Sequence, residues 1–259
     1  MSNGYFREID RGMSRYLNPA TKWILITNVG VFLFQYIILQ ILGLREQFTL
    51  LFCQIPYFAV QKLQVWRFVT YMFLHGGGMH LLFNMLALFF FAGRLEARWG
   101  IKGFLKFYFI CGIGAAIVHA IFTYLFGKPV LYNGELIRGF QPMLGASGAI
   151  YGILLAFAFY WPDQKVLLYF FIPIKIKYLV VIFGVLEFMG TVGAAGSNIS
   201  HITHLGGLLT AFLYLRGWNK VSNLFGGRGG FRGGGRGRRV VKRYYRDSDG
   251  KIYVEFDEE

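Results

Sequence analysis

Residues 23–44 read WILITNVGVFLFQYIILQILGL, 22 positions without a single Lys, Arg, Asp or Glu. A bilayer core of about 30 Å needs about 20 such residues in one helix. The stretch therefore reads as a helix that crosses a membrane. The segment Met1 to Lys22 ahead of it is long and mixed in charge. The run after it is full length, which marks a retained first span rather than a cleaved signal peptide.

Working outward, five more apolar runs follow, at roughly 79–93, 104–126, 146–161, 178–191 and 199–215, the fifth span with an apolar re-entrant lead-in from Val166. Several are shorter than a full crossing. Such helices begin below the membrane surface only where protein or a water-filled cavity surrounds them. Composition agrees: 55% of the chain is hydrophobic and 15% charged, against about 25% charged in ordinary soluble domains. The net charge is +14. An ordinary soluble globule and a wholly disordered chain are both excluded. The expected fold class is an all-α membrane protein, a bundle of six transmembrane helices. Cys53 and Cys111 are too few for a disulfide scaffold or a cysteine-rich zinc site.

The first link, residues 45–78, is aromatic and lightly charged, and reads as a partly embedded loop carrying amphipathic helices. Three regions are expected: an N-terminal segment 1–22, a helical domain 23–216, and a tail 217–259 that is largely disordered. Within the tail, GGRGGFRGGGRGRR at 226–239 cannot bury enough apolar surface to fold, and Lys251 to Phe256 is strand-like. Its arginines (Arg228, Arg232, Arg236, Arg238, Arg239) suit anionic lipid headgroups better than a specific nucleic acid. Six spans put both termini on one side. That side carries 22 of the 27 Lys and Arg, and still 11 against 5 without the tail. The positive-inside rule places it in the cytoplasm. The links 45–78 and 127–145 then face the other compartment. The compact helical region suits a prokaryotic plasma membrane.

Polar groups inside apolar spans are expensive, so each is a functional candidate. His80 and Asn84 share one face of the second span. His201 and His204 open the sixth. Ser147 stands in Gly145-Ala146-Ser147-Gly148-Ala149-Ile150-Tyr151-Gly152 at the start of the fourth. By the topology above, His80, Ser147 and His204 lie at one depth. A serine hydroxyl needs a base to become a nucleophile, and neutral histidine is the usual one. The tetrahedral intermediate needs pre-placed donors for its oxyanion. Backbone N–H groups opening the fourth helix are such donors, and His80 and Asn84 can add side-chain ones. Gly145 and Gly148 allow close backbone approach.

The chain resembles the rhomboid intramembrane serine proteases. The matching elements are Trp66-Arg67 in the first loop, His80-Leu81-Leu82-Phe83-Asn84, Gly145-Ala146-Ser147-Gly148 with Tyr151-Gly152, and His204-Leu205-Gly206-Gly207, in family order. The resemblance implies a six-helix rhomboid-like bundle and a Ser147/His204 dyad without a triad acid. It implies an oxyanion hole of the Ser147 N–H with His80 and Asn84. It suggests that Tyr151 packs on the His204 imidazole, that Trp66 and Arg67 pin the first loop, and that Phe83 and the fifth helix form a lateral gate. The implied substrates are transmembrane proteins, cut within or near the bilayer. No metal or organic cofactor is implied.

The other polar residues are read more plainly. His201 is taken as an interfacial residue, with a supporting contact to the site as the alternative. His75 reads as loop structure and His119 as a satisfied core histidine. Glu187 is the one carboxyl well inside an apolar run. It could orient His204 as a triad acid would, but the preferred reading places it near the outer end of the fifth helix as a gate or interface residue. The uncharged run 190–198 is a candidate lid. A metalloenzyme built on His80, His201 and His204 lacks the H-E-x-x-H pattern and nearby carboxylates. A non-cleaving helix-binding relative would be expected to lack Ser147 or His204.

Overall fold

In a computed structural model, residues 18–168, 171–193, 198–224, 240–246 and 252–258 are described. Nearly all of the N-terminal segment, the centre of the candidate lid and the Gly/Arg run fall outside them.

Helix α1, Pro19–Ile41, contains a stretch of 18 residues with mean hydropathy 1.9 and one π-helical turn at Phe34–Ile38. Its start is tied down by a distant residue. Glu96 is buried, and its two carboxylate oxygens accept the N–H groups of Ala20 and Thr21, both at 2.8 Å, and the Thr21 hydroxyl at 2.7 Å. A carboxylate at a helix N-terminus satisfies orphan donors and meets the positive end of the dipole. Pro19, with no N–H to satisfy, suits the first helical position.

The first loop holds three short helices: α2 (Arg45–Phe52), α3 (Pro56–Gln61) and α4 (Arg67–Thr70). Cys53, Ile55 and Leu74 form a small core of its own, covered by Phe48, Phe52, Phe58 and Phe140. Next come α5 (Gly78–Ala87), a π-helical turn (Leu88–Ala92), and a helical run Gly93–Phe126. Gly100, at φ +73° and ψ 168°, breaks that run. Residues 93–99 therefore finish one helix and residues 101–126 form the next, α6. The link after it contains a hairpin, β1 (Val130–Tyr132) with β2 (Glu135–Ile137).

Helix α7, Ser147–Tyr160, has only 14 residues, about 21 Å of rise. Most of it is buried, as a short helix inside a bundle must be. Helices α8 (Ile176–Gly193) and α9 (Asn198–Leu224) complete the bundle. α9 packs against α6, α7 and α8. Where α7 and α9 cross, a Cβ on Gly207 would fall 1.9 Å from the carbonyl oxygen of Gly148. Only glycine permits backbones that close. Large apolar side chains face outward, on α8 at Val181, Val185, Phe188, Met189 and Val192, as a lipid-facing surface requires.

Three expectations change. The lead-in from Val166 is not re-entrant helix but an antiparallel hairpin, β3 (Lys165–Leu168) with β4 (Ile172–Lys175). Helix α9 runs on to Leu224, past the expected boundary at 216. Part of the tail pairs as a third hairpin, β5 (Val240–Arg246) with β6 (Ile252–Glu258). The chain is thus mainly helical with small β-hairpins rather than purely α.

Candidate active site

The segment 139–146 delivers Ser147 to the start of α7, and the first loop holds it in place. Gln54 and Met143 exchange backbone hydrogen bonds at 2.9 and 2.8 Å, the Tyr57 N–H donates to the Gly139 carbonyl, and the Gly145 N–H donates to the Tyr71 carbonyl. The loop is itself pinned. Arg67 is buried and donates to the Leu50 and Cys53 carbonyls at 2.5 and 2.7 Å, and to Gln64 at 2.7 Å. Those carbonyls close the C-terminal end of α2, where a cation is favoured. The half-exposed Trp66 adds an Nε1–H bond to the Leu51 carbonyl at 3.3 Å.

Gly145 has φ +122°, a conformation other residues rarely adopt, and a Cβ there would lie 2.8 Å from the His80 ring. The residue thus turns the chain into α7 and makes room for His80 at once. The His80 Nδ1 accepts the Gly76 N–H at 3.4 Å. Asn84 is buried one turn on, but its Nδ2 donates to the His80 carbonyl at 2.9 Å. Its amide is engaged within its own helix. The first i to i−4 bond of α7 runs from the Ile150 N–H to the Ala146 carbonyl. The N–H groups of Ser147 and Gly148 therefore lie ahead of the helical ladder, as donors at a helix N-terminus.

Ser147 Oγ lies 2.8 Å from His204 Nε2. The Tyr151 ring lies flat on the imidazole, with centroids 4.3 Å apart and planes 8° apart. On its other side, His204 Nδ1 lies 2.9 Å from Glu187 Oε1. Glu187 also accepts the Tyr151 hydroxyl, and its Oε2 lies 2.6 Å from His201 Nδ1. Two readings from sequence are thereby corrected. Glu187, read as a gate or interface residue near the outer end of the fifth helix, is instead buried against both histidines. His201 is not merely interfacial, since it bonds the same carboxylate. The expected absence of an acid beside His204 does not hold either. Sequence reasoning missed the Glu187–His201 pairing, and its only signal was a lone carboxyl in an apolar run.

Phe83 is 60% exposed on α5. His75 is buried in the turn before α5, its ring 5.1 Å from that of His80. Burial, with the neighbouring His80 ring adding to it, pushes its pKa down to about 4, so it is neutral at ordinary pH. His119 Nδ1 pairs with Gln54 Oε1 at 2.7 Å, tying α6 to the first loop. Burial pushes the Cys53 thiol up to about 11, and Cys111 is fully buried in α6, so neither thiol is a candidate nucleophile. Among the described residues no group of three or more His, Cys, Asp or Glu is arranged to hold a metal ion. The arrangement brings a serine hydroxyl to one imidazole nitrogen, a carboxylate to the other, and backbone N–H groups beside the hydroxyl, the geometry that serine activation needs.

Comparison with known proteins gives a consistent picture. The family model for the rhomboid domain matches residues 62–218. Rhomboid protease AarA of Providencia stuartii is 33% identical over 144 residues, covering 54% of this chain and 50% of that protein. Putative rhomboid protease YdcA of Bacillus subtilis is 33% identical over 148 residues, covering 57% and 64%. RHOMBOID-like protein 12, mitochondrial, of Arabidopsis thaliana is 29% identical over 191 residues, covering 73% and 55%. The matched region spans between half and two thirds of the length of these relatives.

Proposed function

Since the chain belongs to the rhomboid family, we propose that it is an intramembrane serine endopeptidase whose nucleophile is Ser147 and whose base is His204. The observation that carries this reading is the 2.8 Å approach of Ser147 Oγ to His204 Nε2 beneath the Tyr151 ring. Ser147 and His204 lie on separate helices and 57 positions apart, so only the fold brings them together.

The steps follow from the geometry. Ser147 Oγ attacks the scissile carbonyl carbon while its proton passes to His204 Nε2. The carbonyl oxygen becomes an oxyanion beside the Ser147 N–H at the start of α7, with His80 leaning in over Gly145. Asn84 joins it if its amide leaves the His80 carbonyl. The C–N bond then breaks, and the leaving amine takes the proton from His204. This leaves an acyl ester on Ser147. A water gives its proton to Nε2 and attacks the ester carbon, which releases the acid and restores the serine.

The substrates of this reading are transmembrane segments of other proteins. Six helices would cross the bilayer: α1, the helix from Gly78 to the break at Gly100, α6, α7, α8 and α9. Two stretches, Pro19–Ile41 and Gly78–Phe126, have the length and hydropathy for crossing by themselves. The distribution of Lys and Arg supports cytoplasmic termini. Ser147 opens a short helix that would start inside the bilayer, on the side opposite those charges. A substrate helix would reach it laterally, past α8 and Phe83, from the lipid. The relatives carry rhomboid protease names, which supports the same activity here.

The test uses purified full-length chain in detergent with a reporter transmembrane segment and no added metal. Wild-type protein cleaves it. Ser147→Ala and His204→Ala each abolish cleavage while the melting temperature stays within a few degrees of wild type. Cleavage retained by clean Ser147→Ala protein would overturn the proposal.

A further inference from the structure

The carboxylate of Glu187 is the feature least explained by a two-residue mechanism. It sits on α8, 9% exposed, in an apolar helix. A buried carboxylate without partners is strongly unfavourable. Three polar groups surround this one: the Tyr151 hydroxyl on α7, which donates to it, and Nδ1 of His201 and of His204 on α9, each a donor in the tautomer that carries its proton on Nδ1. In that tautomer, three donors on two oxygens match a group that only accepts, which is an ionised carboxylate. The surroundings are also shaped for it. A Cβ on Gly190, one turn along α8, would fall 2.6 Å from the His201 ring, so a glycine there lets His201 reach the acid.

We propose that Glu187 is a positioning residue of the proteolytic reaction, extending Ser147 and His204 into a Ser147–His204–Glu187 relay whose carboxylate is held by His201 and Tyr151. The proposal rests on the serine protease reading above. Neutral imidazole carries one proton, on either nitrogen. Glu187 Oε1 accepts it from Nδ1, which leaves the Nε2 lone pair facing the Ser147 hydroxyl. When Nε2 takes the serine proton, the ring becomes a cation 2.9 Å from a carboxylate, in a setting where charge is weakly screened. The Tyr151 ring fixes the imidazole plane, and its hydroxyl fixes the acid. One side chain thus orients both the ring and its partner. The titratable groups facing this pair are Tyr151 on α7, His201 on α9 and His80 on α5.

The experiment compares wild type, Glu187→Gln, Ser147→Ala and His204→Ala in the cleavage assay across pH, with melting temperatures in parallel. Glu187→Gln is expected to lower kcat on the order of 10³-fold with little change in KM. The acid limb of its kcat/KM profile moves to lower pH, because the imidazolium has lost its counter-charge. A second measurement needs no folded variant of the acid. In wild-type protein labelled with ¹⁵N-histidine, His204 shows a strongly downfield Nδ1 proton, identified by its loss in His204→Ala. A Glu187→Gln rate within about threefold of wild type, a rate loss with an unmoved acid limb, or absence of the downfield proton in wild type would each overturn the proposal. If Ser147→Ala is inactive while Glu187→Gln is not, this inference alone fails. If Ser147→Ala cleaves, the protease reading itself fails.

Discussion

His80 and Gly145 show how a single glycine serves two demands, one of backbone conformation and one of space. Gly145→Ala forces a φ of +122° on a residue with a Cβ and drives that Cβ to 2.8 Å from the imidazole. The expected result is a displaced His80 and a large loss of kcat, with strain of about 1–3 kcal/mol read as a lower unfolding midpoint. His80→Ala and Asn84→Ala should each slow cleavage by roughly 100-fold with smaller effects on KM. If both are neutral in single-turnover assays, neither side chain stabilises the oxyanion. His75 gives a pH dependence. Its pKa is about 4 in the folded protein against 6.5 ordinarily, so between these values the unfolded chain binds the extra proton. Its contribution is whole above 6.5 and is lost as pH falls toward 4. Unfolding midpoints should drop across that window, and His75→Gln should flatten the slope. The meeting of Ser147 with His204 was legible because each sits in a short local pattern. Glu187 was not, because its meeting with His204 depends on how far α8 is rotated, and an all-round apolar helix gives no sign of which face turns inward.

Elements meet at places where side chains are missing. The crossing of α7 and α9 puts Gly207 over the Gly148 carbonyl, and a Cβ on Gly207 would lie 1.9 Å from that oxygen. The obstacle is backbone, so no rotamer change relieves it. Gly207→Ala should push the helices apart, which parts Ser147 from His204. Labelling of Ser147 by a fluorophosphonate should then fall together with the melting temperature. In the first loop, Arg67 closes α2 through two carbonyls and is steadied by Gln64. Arg67→Lys keeps the charge but not the planar fork, and should loosen the loop that holds the segment before Ser147. The two long helical stretches, Pro19–Ile41 and Gly78–Phe126, were readable from apolar runs of sufficient length. The β3–β4 hairpin was not. Residues 166–172 form a continuous apolar run that suits a buried helix as well as a strand, and only Pro173 hints at extended backbone.

Across the whole molecule, buried polar contacts join parts far apart in the chain. Glu96 caps α1 from 75 positions away, so the start of α1 depends on the helical stretch 93–99. Glu96→Ala should lower the unfolding free energy by about 2 kcal/mol or more, because two buried N–H groups lose their acceptor. Cleavage at low temperature should change little, since Glu96 does not touch the serine. A larger effect on rate than on melting temperature would show that α1 shapes the site directly. The charge asymmetry that suggests an orientation was visible in composition, whereas this long-range capping required the fold. The α7–α9 contact has a mechanical consequence. Two crossed blades move most at their tips and least at the rivet. Ser147 sits beside Gly148, and His204 stands one turn from Gly207, so both reacting groups lie at the rivet. Bilayers of different thickness tilt helices and shift their ends, yet the spacing of serine and imidazole should barely respond. Fluorophosphonate labelling should therefore stay constant from thin to thick membranes, while cleavage of a transmembrane segment, which must pass between the blades, should vary.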